Sequence, residues 1–382
     1  MTQIRNKKLY ESMIVPPASE SVAYSVQSSL ARSERWQTLL TCCILFGLAL
    51  GFNLYQIDAP SIWFDEALSV TRAQQPLAVL LRIIFTTQPN MALYYVLLHG
   101  WLKLVGLFGW HATEAVVRFP SALFSALNVL VLYGLARRFF DRLVAFFAAM
   151  LYLLNTLQLT YAQETRSYAL QLLLLSLSWY ALCPLFSCDL PRKHAYLWWL
   201  FFIVTITLAV YAHLFSELIL AAQGLAMALL CVVPNVWRTR ARRQWPASLV
   251  SGCCIIFLLV PILYASRVGS KTGWLPVPHL RDIQHLFLTI SGQNYLLPGL
   301  FLLTILPGLL AALCTAFPHG QKLLSKFAQF SGETALPWQW PQRFLQFLPL
   351  AILGLCWLIF PIASSYIISQ KWTHLFSARY LV

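Results

Sequence analysis

Long apolar runs of about twenty residues recur along this chain, at roughly 38–57, 91–108, 117–136, 143–160, 168–186, 196–213, 214–233, 247–266, 298–317 and 345–368. As helix, such a run matches the ~30 Å hydrocarbon core of a bilayer. Within lipid every backbone N–H and C=O must be satisfied internally, which leaves only helices or closed barrels. A barrel would show short alternating strands, and the sequence shows none. Charged residues make up 10% of the 382 positions and mean hydropathy is +0.66, whereas soluble domains carry about 25% charged residues. The expected fold class is an all-α polytopic membrane protein.

Charge then orients the helices. Lys and Arg concentrate on cytoplasmic loops. If every run spans, the 27 Lys and Arg split almost evenly, and Arg238, Arg240, Arg242 and Arg243 fall outside. If 91–108 instead lies in the outer interface, most cations fall inside, with Arg137, Arg138, Arg142, Arg192 and the 238–243 tract among them. His99, Lys103 and several aromatic residues in 91–108 suit an interfacial helix. Nine spans are therefore expected, with a cytoplasmic N-terminus and location in an inner or plasma membrane. Residues 1–37 read as a disordered cytoplasmic tail, 38–382 as the membrane domain, 58–116 as a first external loop, and 267–297 as a second. Gly269, Gly273, Gly292, Pro276 and Pro278 make that second loop look irregular, a candidate lid. The run 38–57 lacks a small-residue cleavage site and reads as an uncleaved anchor. The net charge of +14 thus reflects topology, and no nucleic-acid partner is expected. Nine cysteines, mostly within apolar runs and without a CxxC, read as small core residues.

Ionisable residues at a membrane edge are costly and tend to be functional. The chain has 13 acidic residues, and two of them, Asp65 and Glu66, are adjacent in "SIWFDEA" at the start of the first external loop. On the same side fall Arg118, Glu164, Arg166, Glu217 and Arg379. A carboxylate among aromatic walls gains basicity. Arginines hold phosphate through paired hydrogen bonds. A base, phosphate-holding arginines and a lipid-facing cavity suit transfer of a group from a lipid phosphate to a hydroxyl. No GxGxxG following a strand and no P-loop occurs.

"SIWFDEALSV", "PNMALYYVLLHGWLKLVG", "AVVRFPSALFSALNVLVLYGLARRFFDR", "YAQETRSYALQLLLL", "AHLFSELILAAQ" and the terminal "ARYLV" occur in this order. Together they resemble the GT-C membrane glycosyltransferases, in particular the bacterial family-39-like group, which is similar to protein O-mannosyltransferases and lipid A aminoarabinose transferases. The resemblance covers about 38–382. It implies a GT-C-like fold and transfer of a sugar from a polyprenyl-phosphate donor, within the membrane lipid, to a glycan, lipid or protein acceptor on the extracytoplasmic side. It places the catalytic base at Asp65, with Glu66 beside it, and substrate or donor-phosphate contacts at Arg118, Gln163, Glu164, Arg166, Tyr168, Arg379 and Tyr380. Relatives carry His-Pro-Pro where this chain has Asn90-Met91-Ala92, so Asn90 offers neutral hydrogen bonds in place of an imidazole. A divalent metal is possible, but no cofactor is assigned. The chain stops where another apolar run would begin, and truncation at the C-terminus is expected.

Plainer readings stand beside these. Asp65 and Glu66 would also cap an interfacial helix, and Arg118 would also anchor a helix at the headgroups. Glu164 and Arg166 would pair structurally in a turn. His213 and Glu217, four apart, would form a polar hairpin rather than a metal site. For the whole chain, the alternatives are a transporter or flippase of lipid-linked sugars, and an inactive fragment of such an enzyme. A transporter would show repeats and broken helices at the midplane, and no repeat is visible.

Overall fold

The computed structural model describes residues 18–267, 275–296, 299, 339–371 and 375–377. Among them are thirteen helices and no strand, as the apolar runs require. They are α1 (Ala18–Leu54), α2 (Phe64–Ala73), α3 (Leu77–Thr86), α4 (Ala92–Leu107), α5 (Glu114–Arg137), α6 (Arg142–Leu153), α7 (Thr156–Ala162), α8 (Tyr168–Ser187), α9 (Arg192–Ala212), α10 (Ser216–Val232), α11 (Arg238–Ser266), α12 (Leu280–Ile290) and α13 (Gln339–Lys371). By compactness the chain divides between Leu48 and Ala49, inside α1. The first unit holds the N-terminal part of α1, and the second holds everything from Ala49 onward.

Six described helices are long and apolar enough to cross a membrane: Ser33–Leu54 within α1, then α5, α8, α9, α11, and Leu348–Lys371 within α13. The chain is a polytopic, GT-C-like membrane protein. The expected count of nine differs for identifiable reasons. Run 143–160 is two helices, α6 and α7, bent by 62° at their junction. The break falls at Asn155, whose side chain accepts the Leu157 and Gln158 N–H groups and starts a new helix. Run 214–233 is the 17-residue α10, closed by Pro234. Run 298–317 lies outside the described residues.

Segment 91–108 forms α4, of 16 residues. At 1.5 Å per residue it is about 24 Å long, too short to span alone, and it packs against α2, α9 and α5. The helix containing the first span begins at Ala18, well before residue 38. Pro16 and Pro17 cannot enter a helix interior, but no Pro or Gly follows until Gly47. The expected irregular loop 267–297 contains the amphipathic helix α12, which is a correction. There Asp282 accepts the His279 N–H at 2.7 Å, and Leu286 packs with Ile362 and Phe376. Ile283, Leu286, Phe287 and Ile290 carry the helical period that the flanking glycines and prolines masked.

α8 is central, packed against α5 and α9 and buried on nearly every side, which is why its sequence is apolar all round. Trp179 of α8 stacks on Trp357 of α13 at 5.3 Å. Helices α5, α8, α9, α10 and α11 run back and forth. Their turns at 163–167 and 213–215 therefore lie at the same end as the N-terminus of α5. The arginines at 137, 138, 142, 192 and 238–243 mark the other end. Polar side chains hold the first end together. Asn53 donates to the Ala122 carbonyl (3.0 Å), Gln163 to the carbonyls of Asn53 and Tyr55, and Gln158 to Ser125. Every described cysteine is free.

Candidate functional site

Asp65 and Glu66 occupy the first turn of α2, where the helix N-terminus favours negative charge. Neighbours on a helix diverge by about 100°, so the two carboxylates meet different surroundings. Glu66 turns inward and has no exposed surface. Its Oε1 accepts from Arg118 Nε (2.9 Å) and the Thr165 N–H (2.8 Å), and its Oε2 from Arg118 Nη2 (2.6 Å) and the Trp63 N–H (3.4 Å). Burial alone would raise its pKa, but the hydrogen bonds from Arg118 and Thr165, together with the guanidinium charge, hold the carboxyl below its ordinary value.

Arg118 is equally committed. Beyond Glu66 it donates through Nη1 to the carbonyls of Ile57 (2.8 Å) and Pro60 (2.7 Å), and through Nη2 to that of Ser61 (3.3 Å). All five N–H groups of the guanidinium are thereby used. In this arrangement Arg118 has none left for a donor phosphate, and Glu66 has no face toward a substrate. The sequence-based expectation had made Glu66 a catalytic candidate beside Asp65 and had put Arg118 on the donor phosphate. Here they tie the first loop to α5 and to the turn before α8.

That tie sets the next pair. The Thr165 N–H is anchored on Glu66, so Arg166 arrives beside Asp65, with Nη2 and Oδ2 3.7 Å apart. Both remain reachable, the side chains being 12% and 27% exposed. The Arg166 N–H donates to the Glu164 carbonyl (2.8 Å), and its own carbonyl accepts from Ser121, which is bonded to the Tyr94 hydroxyl. The guanidinium centre stands 5.8 Å from the middle of the Tyr168 ring, and its Nε makes no hydrogen bond among the described residues. Tyr168 packs on His213 at 5.6 Å and on Tyr161 at 4.7 Å.

His213 opens the three-residue turn between α9 and α10, where sequence reading expected only a polar hairpin. It is fully buried. Its Nε2 lies 3.4 Å from Asn90 Nδ2, while Asn90 Oδ1 accepts the Leu214 N–H at 3.1 Å. Burial, and then the Arg166 charge, push its pKa down to about 3, so the ring is neutral at physiological pH. The motif that lacks a histidine before "LYY" thus meets one from 123 residues further on. The only signal in the sequence was a polar pair, His213 and Glu217, between two apolar runs. Met91, next to Asn90, holds φ 68, a left-handed conformation that non-glycine residues rarely adopt. It bends the loop onto the α9–α10 turn. Arg72 donates to the Tyr95 hydroxyl at 2.8 Å on the same loop.

The residues expected at the site therefore come together in one group, apart from Arg379 and Tyr380, which lie outside the described residues. Beside the group lies a cavity of about 350 Å³ between α8, α10 and α13, lined mainly by apolar residues such as Leu175, Leu218 and Trp357. Phe215 lines it and also packs against His213 at 5.5 Å with the rings tilted. Gln171, one turn after Tyr168, contributes a polar group to its wall. Among the described residues no group of three or more His, Cys, Asp or Glu is placed to hold a metal ion.

The described residues form a polytopic, GT-C-like helical fold in which Asp65, Glu66, Arg118 and Arg166 meet at the end of the helices opposite the 238–243 arginines. The family model for dolichyl-phosphate-mannose-protein mannosyltransferase matches residues 88–264, a little under half of the chain, from just before Asn90 to near the end of α11. The match supports a membrane glycosyltransferase in general. Asp65 and Glu66 precede the matched stretch. No curated protein and no solved structure matches the chain.

Proposed function

We propose that the chain transfers a sugar from a polyprenyl-phosphate donor to an acceptor hydroxyl on the extracytoplasmic side of a cell membrane, with its N-terminus in the cytoplasm. One observation carries this reading: Asp65 and Arg166 are held beside each other and partly exposed by the buried Glu66–Arg118 pair, at the helix end where Gln171 and Phe215 open onto an apolar cavity. Arg166 receives the donor phosphate. Its Nη2 now faces Asp65 at 3.7 Å, and a phosphate within reach competes for it. The apolar cavity takes the first isoprene units. The acceptor oxygen attacks the anomeric carbon as the bond from that carbon to the phosphate oxygen breaks. The lipid phosphate departs with the electron pair, and Asp65 takes the hydroxyl proton. Arg166 stabilises the charge growing on the phosphate. Glu66 and Arg118 are positioning residues, and neutral Asn90 and His213 set the floor of the site.

The test is release of lipid phosphate from labelled polyprenyl-phosphate sugars by the purified chain, with a membrane extract as acceptor source. Wild type should consume one donor, and Asp65→Asn should lose that turnover while inserting normally. Turnover of Asp65→Asn at the wild-type rate would overturn the assignment. Binding without release by both proteins would indicate a carrier of lipid-linked sugars instead.

A further inference from the structure

A second cavity, of about 310 Å³, lies between the C-terminal end of α2 and helix α4, lined by Gln74, His99, Lys103, Trp110 and His111. The glycosyl-transfer reading uses none of these residues. α2 has ten residues, so this cavity is about 13 Å along the helix from Asp65.

Local sequence builds it. α4 ends in a glycine cap: Gly109 adopts φ 74, its N–H donates to the Gly106 carbonyl, and the Trp110 N–H donates to the Val105 carbonyl at 3.2 Å. That paired closure turns the chain back sharply and brings Trp110 and His111 over the last turns of α4, beside Lys103. His99 is buried, 6% exposed. Its Nδ1 is 2.7 Å from the Ala73 carbonyl, an oxygen that can only accept, so Nδ1 carries the proton. In the neutral ring Nε2 is therefore a hydrogen-bond acceptor. Lys103 and His111 are exposed, and Lys103 forms no ion pair among the described residues. Immediately beside them Leu107 is 84% exposed and Phe108 73%.

These features describe one kind of ligand. Two cationic or proton-donating groups ask for an anion, a buried acceptor asks for a hydroxyl, the exposed Trp110 adds an aromatic wall, and exposed Leu107 and Phe108 flank the cavity. We infer that this cavity is a binding site for a hydroxyl-bearing phosphate headgroup, separate from the Asp65–Arg166 site. Lys103 and His111 take the phosphate oxygens, a neighbouring hydroxyl donates to His99 Nε2, and the acyl chains lie along Leu107 and Phe108.

Short-chain probes test this on the full chain in detergent, by calorimetric titration without any sugar donor. Dihexanoyl phosphatidylglycerol should bind saturably, and Lys103→Gln/His111→Gln should weaken it about tenfold or more. Both positions are exposed, so the double variant should unfold at the wild-type temperature. His99→Phe should weaken the same probe while leaving the cations in place. If glycerol phosphate binds as well as the lipid, the site takes soluble phosphates; if only the lipid binds, it takes a membrane headgroup. Either supports the inference. Absence of saturable binding to wild type, equal affinity in the double variant, or equally tight binding of uncharged dihexanoyl glycerol would overturn it. Because no turnover is measured, failure here leaves the glycosyl-transfer reading untouched, and an inactive Asp65→Asn leaves this one untouched.

Discussion

Two carboxylates one residue apart do opposite work because one helix turn divides their surroundings. Glu66 is satisfied on both oxygens by Arg118 and two backbone N–H groups, whereas Asp65 meets Arg166 at longer range and keeps an open side. Breaking a buried pair leaves an uncompensated charge. Glu66→Gln should therefore cost about 3–5 kcal/mol of stability, read as a lower unfolding temperature in detergent, whereas Asp65→Asn should change that temperature little. Acid separates the two further. The folded-state pKa of Glu66 is lowered, so its contribution is complete above its unfolded value, near 4.5, and is lost as pH falls below that. His213, lowered from 6.5 to about 3, acts in the same direction over a higher window. Wild-type stability should thus decline from about pH 6.5 downward and steepen below pH 4.5, where both groups take up protons, and Glu66→Gln should lack the steepening while keeping the His213 part of the decline.

The elements carry the site by where they stop. α2 begins beside the α5 arginine, α6 breaks from α7 at Asn155, and α9 hands over to α10 at His213. Each stop is a local polar choice within an apolar background. Asn155 illustrates this: its Oδ1 caps α7, and its Nδ2 donates to the Ile290 carbonyl at the end of α12 (2.7 Å). The residue therefore sets the 62° bend and ties the end of α12 to α7. Asn155→Ala should lower stability by about 1 kcal/mol through the lost cap, with faster hydrogen exchange in α7 and α12 together. Exchange rising in α7 alone would show that the Ile290 bond does not couple them.

Across the molecule, the ends of the helices divide by charge. Arg240 and Arg243 converge on Asp189 at 2.8 and 3.1 Å, next to the exposed Cys188. Cation-rich ends belong to the cytoplasmic face. A variant retaining Cys188 as its sole cysteine should react with an impermeant maleimide only after right-side-out vesicles are opened, and a Ser61→Cys variant should react before. The reverse pattern would invert the topology. Much of this was legible in residue order. Apolar length alone demands helices in lipid, because no other open structure satisfies the backbone there; the Lys and Arg tracts suggest an order for the loops; and sparse ionisable residues outside the apolar runs single out Asp65, Glu66, Glu164 and Arg166. What residue order could not supply is direction. Which of two adjacent carboxylates faces inward depends on how α2 rolls against α5, and whether Arg118 meets substrate or protein depends on the carbonyls of Ile57, Pro60 and Ser61 converging on it. The meeting of Asn90 with His213 depends on folding 123 residues of chain back to one end. Periodicity and composition describe one segment at a time; contacts between distant segments are set by packing, and packing decides which of these side chains meet.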